Sequence, residues 1–330
     1  MTEWSKRRRL EAAIGGEKPD RPPVALWRHW PGDDQDPHAL AAAHLKWQQD
    51  YDWDLLKIGP SSTYSVEDWG VQTRWVGHIE GTREYTRRTI HQPDDWASLS
   101  PLEPNAPNLA AQIESLRMVG EAVGETVPFI ATIFSPLSQA KHLAGDPLML
   151  SHMRRDPDAF HQGLATITES TLRFIEAAKG AGIAGIFLAV QHARYPLMSR
   201  VEFMEFGRPY DLQVLTAVSD LWCNMVHLHG AEVMFDLVAD YPAQFLNWHD
   251  RETGITLGQG LAQIQGAASG GVDQWSLHQD APSSALAEAE DALNQTDGRR
   301  LLLGTGCVIM VTTPTQNIRA LRELASSYKP

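Results

Sequence analysis

The residues that say most about chemistry are His227 and His229, which lie at the end of the apolar run Asn224–Leu228. Side chains two positions apart on a strand leave the same face, so both imidazoles can point at one spot. Cys307 follows Gly304–Gly306, where glycine lets the backbone bend and bring the sulfur toward the same spot. Two imidazoles and one thiolate suit Zn²⁺ and leave a fourth position open for catalysis. The alternative is that these are ordinary polar residues at the edge of a sheet.

The elements that must position these residues alternate along the chain, with short β-rich runs separated by amphipathic stretches. This alternation is typical of a parallel sheet with crossover helices. Eight candidate strands are found, which favours a closed (β/α)₈ TIM barrel (class α/β) over an open sheet: Val24–Arg28, Leu55–Ile58, Phe129–Ile133, Gly185–Val190, Asn224–Leu228, Phe245–Trp248, Val272–Leu277 and Leu301–Leu303.

Helical patterns occupy the intervals between the strands. They are predicted at His38–Gln49, Leu109–Val123, Ala159–Lys179, Val201–Val218, Ser283–Leu293 and Thr315–Ser326. After the second strand, Trp69–His91 alternates apolar and polar residues around Gly77 and Gly81, which predicts a β-hairpin excursion at the rim of the barrel. No repeat or linker divides the chain, so residues 1–330 are expected to form one domain.

Composition limits the classes of function. The 330 residues are 43% hydrophobic and carry a formal net charge of −13, which argues against a nucleic-acid partner. No apolar run approaches the roughly 20 residues of a membrane span, and no apolar stretch follows the basic N-terminus as in a signal peptide. The two cysteines exclude a disulfide framework, and Cys223 is expected to be a buried apolar residue. A cytoplasmic location is expected.

Chemistry in such a barrel gathers where the strands end. His249 and Asp250 follow the sixth strand and could supply a general base with an orienting carboxylate, or a fourth metal ligand. The remaining candidates also lie after strands. Lys57 and Tyr64 are candidates for catalysis, and candidates for substrate binding are Arg28, Glu67, Gln191 and His192. For Tyr64 and Glu67 the alternative is helix capping and loop hydrogen bonding.

Several segments together resemble the uroporphyrinogen-decarboxylase superfamily over nearly the whole chain. The opening strand, the stretch after the second strand, the helix after the fourth strand, and the last strand with its helix carry this resemblance: Arg21–Arg28, Leu56–Gly70, Phe203–Tyr210 and Leu303–Ile318. The accumulation of these segments is specific for the superfamily, although no single motif is. The resemblance implies a barrel that forms homodimers.

The porphyrinogen decarboxylases of this superfamily use no metal. They hold substrate with arginines in the first loop, an aspartate after strand two, a tyrosine after strand three and a histidine near the last strand. Here Arg28 matches the first arginine, Lys57 stands in the place of the aspartate, His142 in that of the tyrosine and Thr305 in that of the histidine. Loss of the aspartate removes the acceptor for pyrrole N–H groups, so uroporphyrinogen is not the expected substrate. His142 is a candidate for substrate binding on this basis.

The zinc-dependent corrinoid and coenzyme M methyltransferases of the superfamily carry His-x-Cys after strand five and Gly-x-Gly-Cys after strand eight. His227 and Cys307 match these motifs, whereas His229 replaces the first cysteine. The resemblance implies zinc and a methylated corrinoid supplied by a partner protein. Replacing one thiolate by an imidazole makes the site more positive and the metal a stronger Lewis acid, while a bound thiolate becomes less nucleophilic.

Three hypotheses follow. The leading one is a zinc-dependent methyl or other alkyl transferase that activates a thiol or oxygen of a small substrate. The second is a metal-free decarboxylase of a smaller acid, in which Arg28 and Lys57 bind the carboxylate and stabilise the developing anion. The third is a non-catalytic metal-binding protein, which a closed shell of four ligands would favour.

Overall fold

The computed structural model describes residues 4–328, which form a parallel α/β sheet and a separate hairpin. The nine strands are β1 (Leu56–Ile58), β2 (Gln72–Arg74), β3 (Glu84–Arg87), β4 (Phe129–Phe134), β5 (Gly185–Val190), β6 (Met225–Leu228), β7 (Phe245–Trp248), β8 (Ala267–Val272) and β9 (Leu301–Thr305). Seven are parallel neighbours in the order β1-β4-β5-β6-β7-β8-β9. The strands of this sheet are wholly buried.

Thirteen helices pack around the sheet in the described residues. They are α1 (Lys6–Gly15), α2 (Pro37–Tyr51), α3 (Asp94–Ala97), α4 (Pro107–Val123), α5 (Pro136–Ala144), α6 (Asp146–Arg155), α7 (Pro157–Lys179), α8 (Arg200–Glu202), α9 (Arg208–Ala217), α10 (Leu257–Leu261), α11 (Gln274–His278), α12 (Ser283–Thr296) and α13 (Thr315–Ser327). A π-helical turn, Phe203–Gly207, joins α8 to α9 within the helix predicted at Val201–Val218. None of the helices in residues 4–328 is long and apolar enough to cross a membrane.

The predicted first strand, Val24–Arg28, is present only as a single parallel bridge from Val24 to Leu303. The N–H of Leu303 donates to the Pro23 carbonyl at 2.9 Å, and the Val24 carbonyl accepts from Asp54 just before β1 at 3.0 Å. The sheet therefore closes on itself through this segment, in a manner consistent with a TIM-like barrel. Regular pairing does not continue beyond this point, because the carbonyls of Leu26 and Trp27 accept instead from the Trp47 indole and from the N–H of Ile309.

The prediction of a strand at Val272–Leu277 is wrong. The strand is β8, which ends at Val272, and Gln274–His278 is helical because the Asp273 carboxylate accepts from the N–H groups of Trp275 and Ser276. The sequence of β8, AASGGV, lacks the branched and aromatic residues that mark strands. Its small residues are needed by packing, since a Cβ on Gly271, whose φ is +110°, would lie 2.6 Å from the Ala292 Cβ of α12.

The hairpin expected within Trp69–His91 is confirmed by the antiparallel pairing of β2 with β3. Its loop is fastened over the carboxyl ends of the strands by two contacts. The buried Arg83 guanidinium pairs with Asp34 at 2.5 Å, and the N–H of Val311 donates to the Ile79 carbonyl at 2.9 Å. Gly81 has a φ of +79° and no room for a side chain, because a Cβ would lie 2.7 Å from that of His29. The hairpin thus forms one wall of the barrel mouth.

Candidate metal centre

His227 lies on β6, and His229 lies just after its end. His227 is aligned with Asn247 of β7 in the parallel register, and the N–H of His229 donates to the Val190 carbonyl at the end of β5. Both imidazoles leave the same side of the chain, as the spacing predicts. His227 is 3% exposed.

Cys307 reaches this position because β9 continues through a glycine that has no space for a side chain. The N–H of Gly306 donates to the Val272 carbonyl at 3.2 Å, and a Cβ on Gly306 would lie 2.9 Å from the His249 Cα. The Thr305 hydroxyl donates to the Cys307 carbonyl at 2.6 Å and holds the next turn. The close approach of the chains after β7 and β9 therefore brings the thiol beside the histidines.

The three predicted ligands form a triangle with the dimensions of a zinc site. His227 Nε2 is 3.4 Å from His229 Nδ1, and the Cys307 Sγ is 3.8 Å and 3.7 Å from these two atoms. Zn–N bonds of about 2.05 Å and a Zn–S bond of about 2.3 Å at tetrahedral angles give roughly 3.4 Å between nitrogens and about 3.6 Å between sulfur and nitrogen. The observed separations agree with these values to within about 0.2 Å, so the donor set fits a tetrahedral cation such as Zn²⁺.

Asn247 determines which nitrogen of His227 is available. Its amide Nδ2 donates to the carbonyls of Ser269 (2.9 Å) and Thr305 (3.1 Å), so its oxygen must face the imidazole. That oxygen accepts from His227 Nδ1 at 2.5 Å. His227 therefore carries its proton on Nδ1, and the lone pair on Nε2 points toward Cys307.

His249 lies beside the triangle and is oriented in the same way by a carboxylate. Its Nδ1 is 3.1 Å from a carboxylate oxygen of Glu252, and its Nε2 is buried without a hydrogen-bond partner in residues 4–328. The ligand atoms of His227, His229, His249 and Cys307 all lie within 4.8 Å of one another. His249 makes none of the short contacts that join the other three, and its distance from them leaves it as a candidate fourth ligand.

Burial keeps the imidazoles of the cluster neutral, so that their nitrogen lone pairs are available to a cation. Burial and the neighbouring imidazoles hold the pKa of His227 well below its ordinary value, and lower the pKa of His229 to about 3. Burial also raises the pKa of the Cys307 thiol to about 12, so the sulfur keeps its proton in the absence of a cation. A bound divalent ion reverses that preference, because a coordinated thiol is deprotonated.

A cavity of about 200 Å³ opens beside the cluster. Of the candidate residues, Lys57 and Gln191 line it together with the three ligands. Burial lowers the pKa of Lys57 to about 8, against the opposing attraction of Cys307. The Lys57 ammonium lies 4.4 Å from the centre of the Phe187 ring, which is part of the same wall.

Arg28 lies outside this cavity. Its guanidinium packs 4.1 Å above the Trp30 ring and donates to the Val311 carbonyl, and it lines a separate cavity of about 480 Å³ that also includes Trp47. The irregular first segment causes this displacement, because without a strand the residue does not project from the sheet toward the mouth. Its role in substrate binding stays a prediction.

Four more candidates are engaged in structural contacts away from the cavity wall. The Tyr64 hydroxyl donates to the Thr132 carbonyl at 2.8 Å, and the Glu67 carboxylate accepts from the Thr63 hydroxyl at 2.5 Å. His192 Nε2 lies 2.8 Å from Asp146, and the buried His142 ring packs 5.1 Å from that of Phe134. None of these four is among the residues that line the 200 Å³ cavity.

Asp250 points away from the metal cluster. Its Oδ1 accepts from the N–H of Gly271 at 3.0 Å and its Oδ2 lies 3.3 Å from Arg251. Burial raises the pKa of Asp250 to about 6, while the Gly271 N–H opposes this rise. The carboxylate that orients His249 is therefore Glu252, three residues on, and Asp250 stabilises the adjoining β8.

Sequence reasoning did not single out Asn247, Glu252, Lys141 and Glu80, of which the last two line the cavity. For Asn247 a signal was available, because an amide in a buried strand run needs partners and this one faces a candidate ligand across the sheet. For Glu252 the i, i+3 spacing from His249 was a weaker signal. Lys141 and Glu80 come from a helix and from the hairpin, whose approach to the mouth depends on tertiary packing.

The orientation of His227 by Asn247 gives a testable expectation. Replacing Asn247 with Leu removes the acceptor for His227 Nδ1, frees the ring to change tautomer, and is expected to lower Zn²⁺ affinity about 10- to 100-fold, as loss of such outer partners does elsewhere. Competition with a chromophoric chelator measures the affinity. Asn247→Asp keeps an acceptor for His227 Nδ1 but loses the donor to the Ser269 and Thr305 carbonyls, so it should recover only part of the affinity. Unchanged affinity in Asn247→Leu would contradict the role.

A parallel barrel-like sheet with a nitrogen and sulfur cluster at the carboxyl ends of its strands defines a class of enzyme with its centre at the mouth. Residues 5–328 match the sequence profile of uroporphyrinogen decarboxylase (URO-D), and the chain belongs to this family. The proteins of this family to which the chain is similar include methyltransferases.

Individual relatives carry two different activities in their names. The methylcobamide:CoM methyltransferase MtbA of Methanosarcina acetivorans is 19% identical over 344 aligned positions, which cover 100% of both chains. A uroporphyrinogen decarboxylase of Mycobacterium sp. (strain KMS) is 23% identical over 349 positions, 96% of each. The solved structure of a methyltransferase from Methanosarcina mazei superimposes with a TM-score of 0.83 at 21% identity, covering 98% of this chain and 99% of that one. Since these identities are alike, the site residues must separate the two activities.

Proposed function

We propose that this chain is a zinc-dependent methyl transferase on a (β/α)₈ barrel, with His227, His229 and Cys307 as the metal ligands. The observation that carries the proposal is the triangle of 3.4, 3.7 and 3.8 Å between their donor atoms, which matches three corners of a zinc tetrahedron. The three ligands line the same cavity as Lys57 and Gln191, which supports an open fourth corner on that side. Three protein ligands with one free corner is the arrangement of catalytic rather than structural zinc.

The metal's contribution is Lewis acidity, which lowers the pKa of a bound thiol or oxygen acceptor. The protein's own groups supply the rest. Asn247 fixes the imidazole of His227, and Glu252 fixes that of His249. We assign His249 to receive the acceptor's proton and Lys57 to hold the acceptor in place.

The size of the cavity supports a small acceptor and an external methyl donor. At about 200 Å³ it is smaller than the 300–1,000 Å³ typical of drug-sized ligands, and a tetrapyrrole does not fit within it. A methylated corrinoid would have to be presented at the mouth by a partner protein. The exposed large apolar side chains of residues 4–328 include Trp75 and Val76 in the loop of the hairpin; the others are Tyr195, Val201, Met204 and Trp275.

The decarboxylase hypothesis has one observation in its favour, a buried lysine that could hold a carboxylate. It does not explain why Asn247 and Glu252 orient the imidazoles of His227 and His249. The non-catalytic hypothesis requires that His249 close the shell as a fourth ligand, and His249 makes no hydrogen-bond-range contact with the other three within the described chain.

Elemental analysis of two variants tests the proposal. The purified protein is expected to hold one zinc per chain, His229→Ala to lose it, and His249→Ala to keep it while losing methyl transfer from methylcobalamin to a thiol. Equal loss of zinc from both variants would indicate four ligands and the non-catalytic hypothesis. Absence of stoichiometric transition metal, with no spectral change on adding Co²⁺, would overturn the proposal.

A further inference from the structure

The cavity of about 480 Å³ that Arg28 lines lies between α2 and the start of α13, and we call it the outer cavity. It shares no lining residue with the 200 Å³ cavity beside the metal cluster in the described chain. Trp27 and His29 line the cavity of the cluster, whereas Arg28 and Trp30 line the outer cavity. The two cavities are therefore distinct and are separated by this segment.

The outer cavity exists because α2 carries small side chains where it faces α13. Ala39, Ala42 and Ala43 line the cavity, and larger residues at these positions would fill it. At the last residue of α2, Arg322 of α13 donates to the Tyr51 carbonyl at 3.0 Å and ties the two helices together. The volume falls within the range of roughly 300–1,000 Å³ that is typical of ligand pockets.

Arg28 brings a positive charge without a full counterion to this cavity. Its guanidinium lies 4.1 Å from the Trp30 ring and donates to the Val311 carbonyl at 2.7 Å, while its Nε is buried without a partner in residues 4–328. Burial lowers the pKa of Arg28, against the opposing effects of Tyr51 and Asp33. Since buried charges are ordinarily paired, the guanidinium is left to attract an anion.

The start of α13 adds two further groups that favour an anion. No side chain of the described residues caps this helix, its first turn holds no acidic residue, and Thr315 and Ile318 of that turn line the cavity. The free N–H groups of a helix N-terminus attract negative charge. Thr313 also lines the cavity, is 6% exposed, and has a buried hydroxyl without a hydrogen-bond partner in residues 4–328. A buried hydroxyl of this kind is costly unless a ligand supplies its partner.

Aromatic rings form another wall of the outer cavity. Trp30 and Trp47 meet edge to face, with ring centres 5.7 Å apart and planes at 80°. The Tyr51 ring lies 4.6 Å from that of Trp47. All three residues line the cavity, and a flat aromatic ring packs favourably against such a corner.

The remaining charged groups limit the charge of a ligand. Lys46 and Asp50 line the cavity but pair with each other at 3.0 Å. Asp33 also lines it, forms no ion pair with Arg28 within the described residues, and would repel a second negative charge on a ligand. One negative charge is therefore favoured over two.

We propose that the outer cavity is a second ligand site, which binds a small aromatic monocarboxylate. The carboxylate lies at Arg28 and the N-terminus of α13, and the ring packs against Trp30 and Trp47. The site needs no metal and does not depend on the proposed methyl transfer.

Three compounds of matched shape test the proposal by calorimetry on the full chain. We expect 2-naphthoate to bind at least 10-fold more tightly than neutral 2-naphthamide, a difference of about 1.4 kcal/mol. It should also bind more tightly than decahydronaphthalene-2-carboxylate, which has the charge but no aromatic ring. Absence of 2-naphthoate binding, or equal affinity for 2-naphthoate and either analogue, would overturn the proposal.

Variants of the lining residues locate the ligand. Arg28→Met should remove the preference for the acid over the amide, and Ala43→Leu should abolish binding of both by filling the cavity with a residue that helices accept. Thr313→Val should weaken 2-naphthoate binding about 10-fold without lowering the melting temperature, because its hydroxyl has no partner in residues 4–328 to lose. The matched controls are Arg117→Met, an exposed arginine paired with Glu114, and Ala320→Leu, outside both cavities.

Removal of the metal separates this site from the metal centre. Affinity for 2-naphthoate should be the same in protein treated with a chelator and in His229→Ala, whether or not the proposed zinc site exists. Binding that requires zinc, or that survives both Arg28→Met and Ala43→Leu, would place the ligand elsewhere and overturn the proposal. So would sedimentation showing that a second copy of the chain covers this face and that Ala43→Leu separates the copies.

Discussion

Replacing Cys307 with Ser is expected to lower Zn²⁺ affinity more than about 100-fold, because loss of an outer partner of a ligand already costs 10- to 100-fold. Serine keeps the shape of the side chain but supplies no thiolate, which is the only anionic ligand of the triangle. The remaining imidazoles would have to hold a divalent ion without charge compensation in a buried site. Methyl transfer should be lost together with the metal.

Substitution with Co²⁺ detects the loss of the thiolate ligand by absorption spectroscopy. The Co²⁺ form of the unaltered protein should show near-ultraviolet charge-transfer absorption from sulfur, and Cys307→Ser should not. Cys223→Ala is the matched control, because Cys223 is also fully buried but packs in the apolar core, as predicted from the sequence. If Cys307→Ser still bound zinc tightly, or retained decarboxylase activity toward a small acid, the metal-dependent function would be excluded.

The convergence of His227, His229 and Cys307 could be predicted from the sequence because it depends on local rules. A two-residue period puts both imidazoles on one side of a strand, and parallel strands bring their carboxyl ends to a common mouth. Residues 78 and 80 positions apart in the chain thereby come within 4 Å. The hairpin could also be predicted, because alternation and two glycines are local signals.

What could not be predicted depends on packing between elements. The strand β8 has no strand-like composition because α12 and Asp250 press against its glycines. Asp250 was the expected partner of His249, but the side chains of these adjacent residues point in different directions. The turn after β7 instead places the Glu252 carboxylate beside the His249 imidazole. Such contacts are set by the closure of the whole sheet and leave no periodic pattern in the sequence.

Outside the site, the carboxyl group of Asp211 is expected to make stability fall as the pH rises. Asp211 is 1% exposed on α9, its Oδ2 accepts from the Tyr241 hydroxyl at 3.0 Å, and its Oδ1 has no partner in residues 4–328. Burial raises its pKa to about 8, against the opposing effects of the Tyr241 hydroxyl and the Arg208 charge. In the unfolded chain the same group loses its proton near pH 3.8.

Through Asp211, the folded protein therefore binds one more proton than the unfolded chain between about pH 4 and pH 8. Its free energy of unfolding decreases as the pH rises through this window, by about 1.4 kcal/mol for each pH unit that separates the two pKa values, or several kcal/mol in total. Asp211→Asn keeps an acceptor for Tyr241 and cannot ionise, so the variant should lose this slope and be the more stable protein at pH 8. Urea unfolding between pH 5 and pH 9 measures the difference, with Asp220→Asn, an exposed carboxylate paired with Lys179, as the control. Parallel pH profiles for the protein and Asp211→Asn would show that the buried carboxyl ionises in the fold after all.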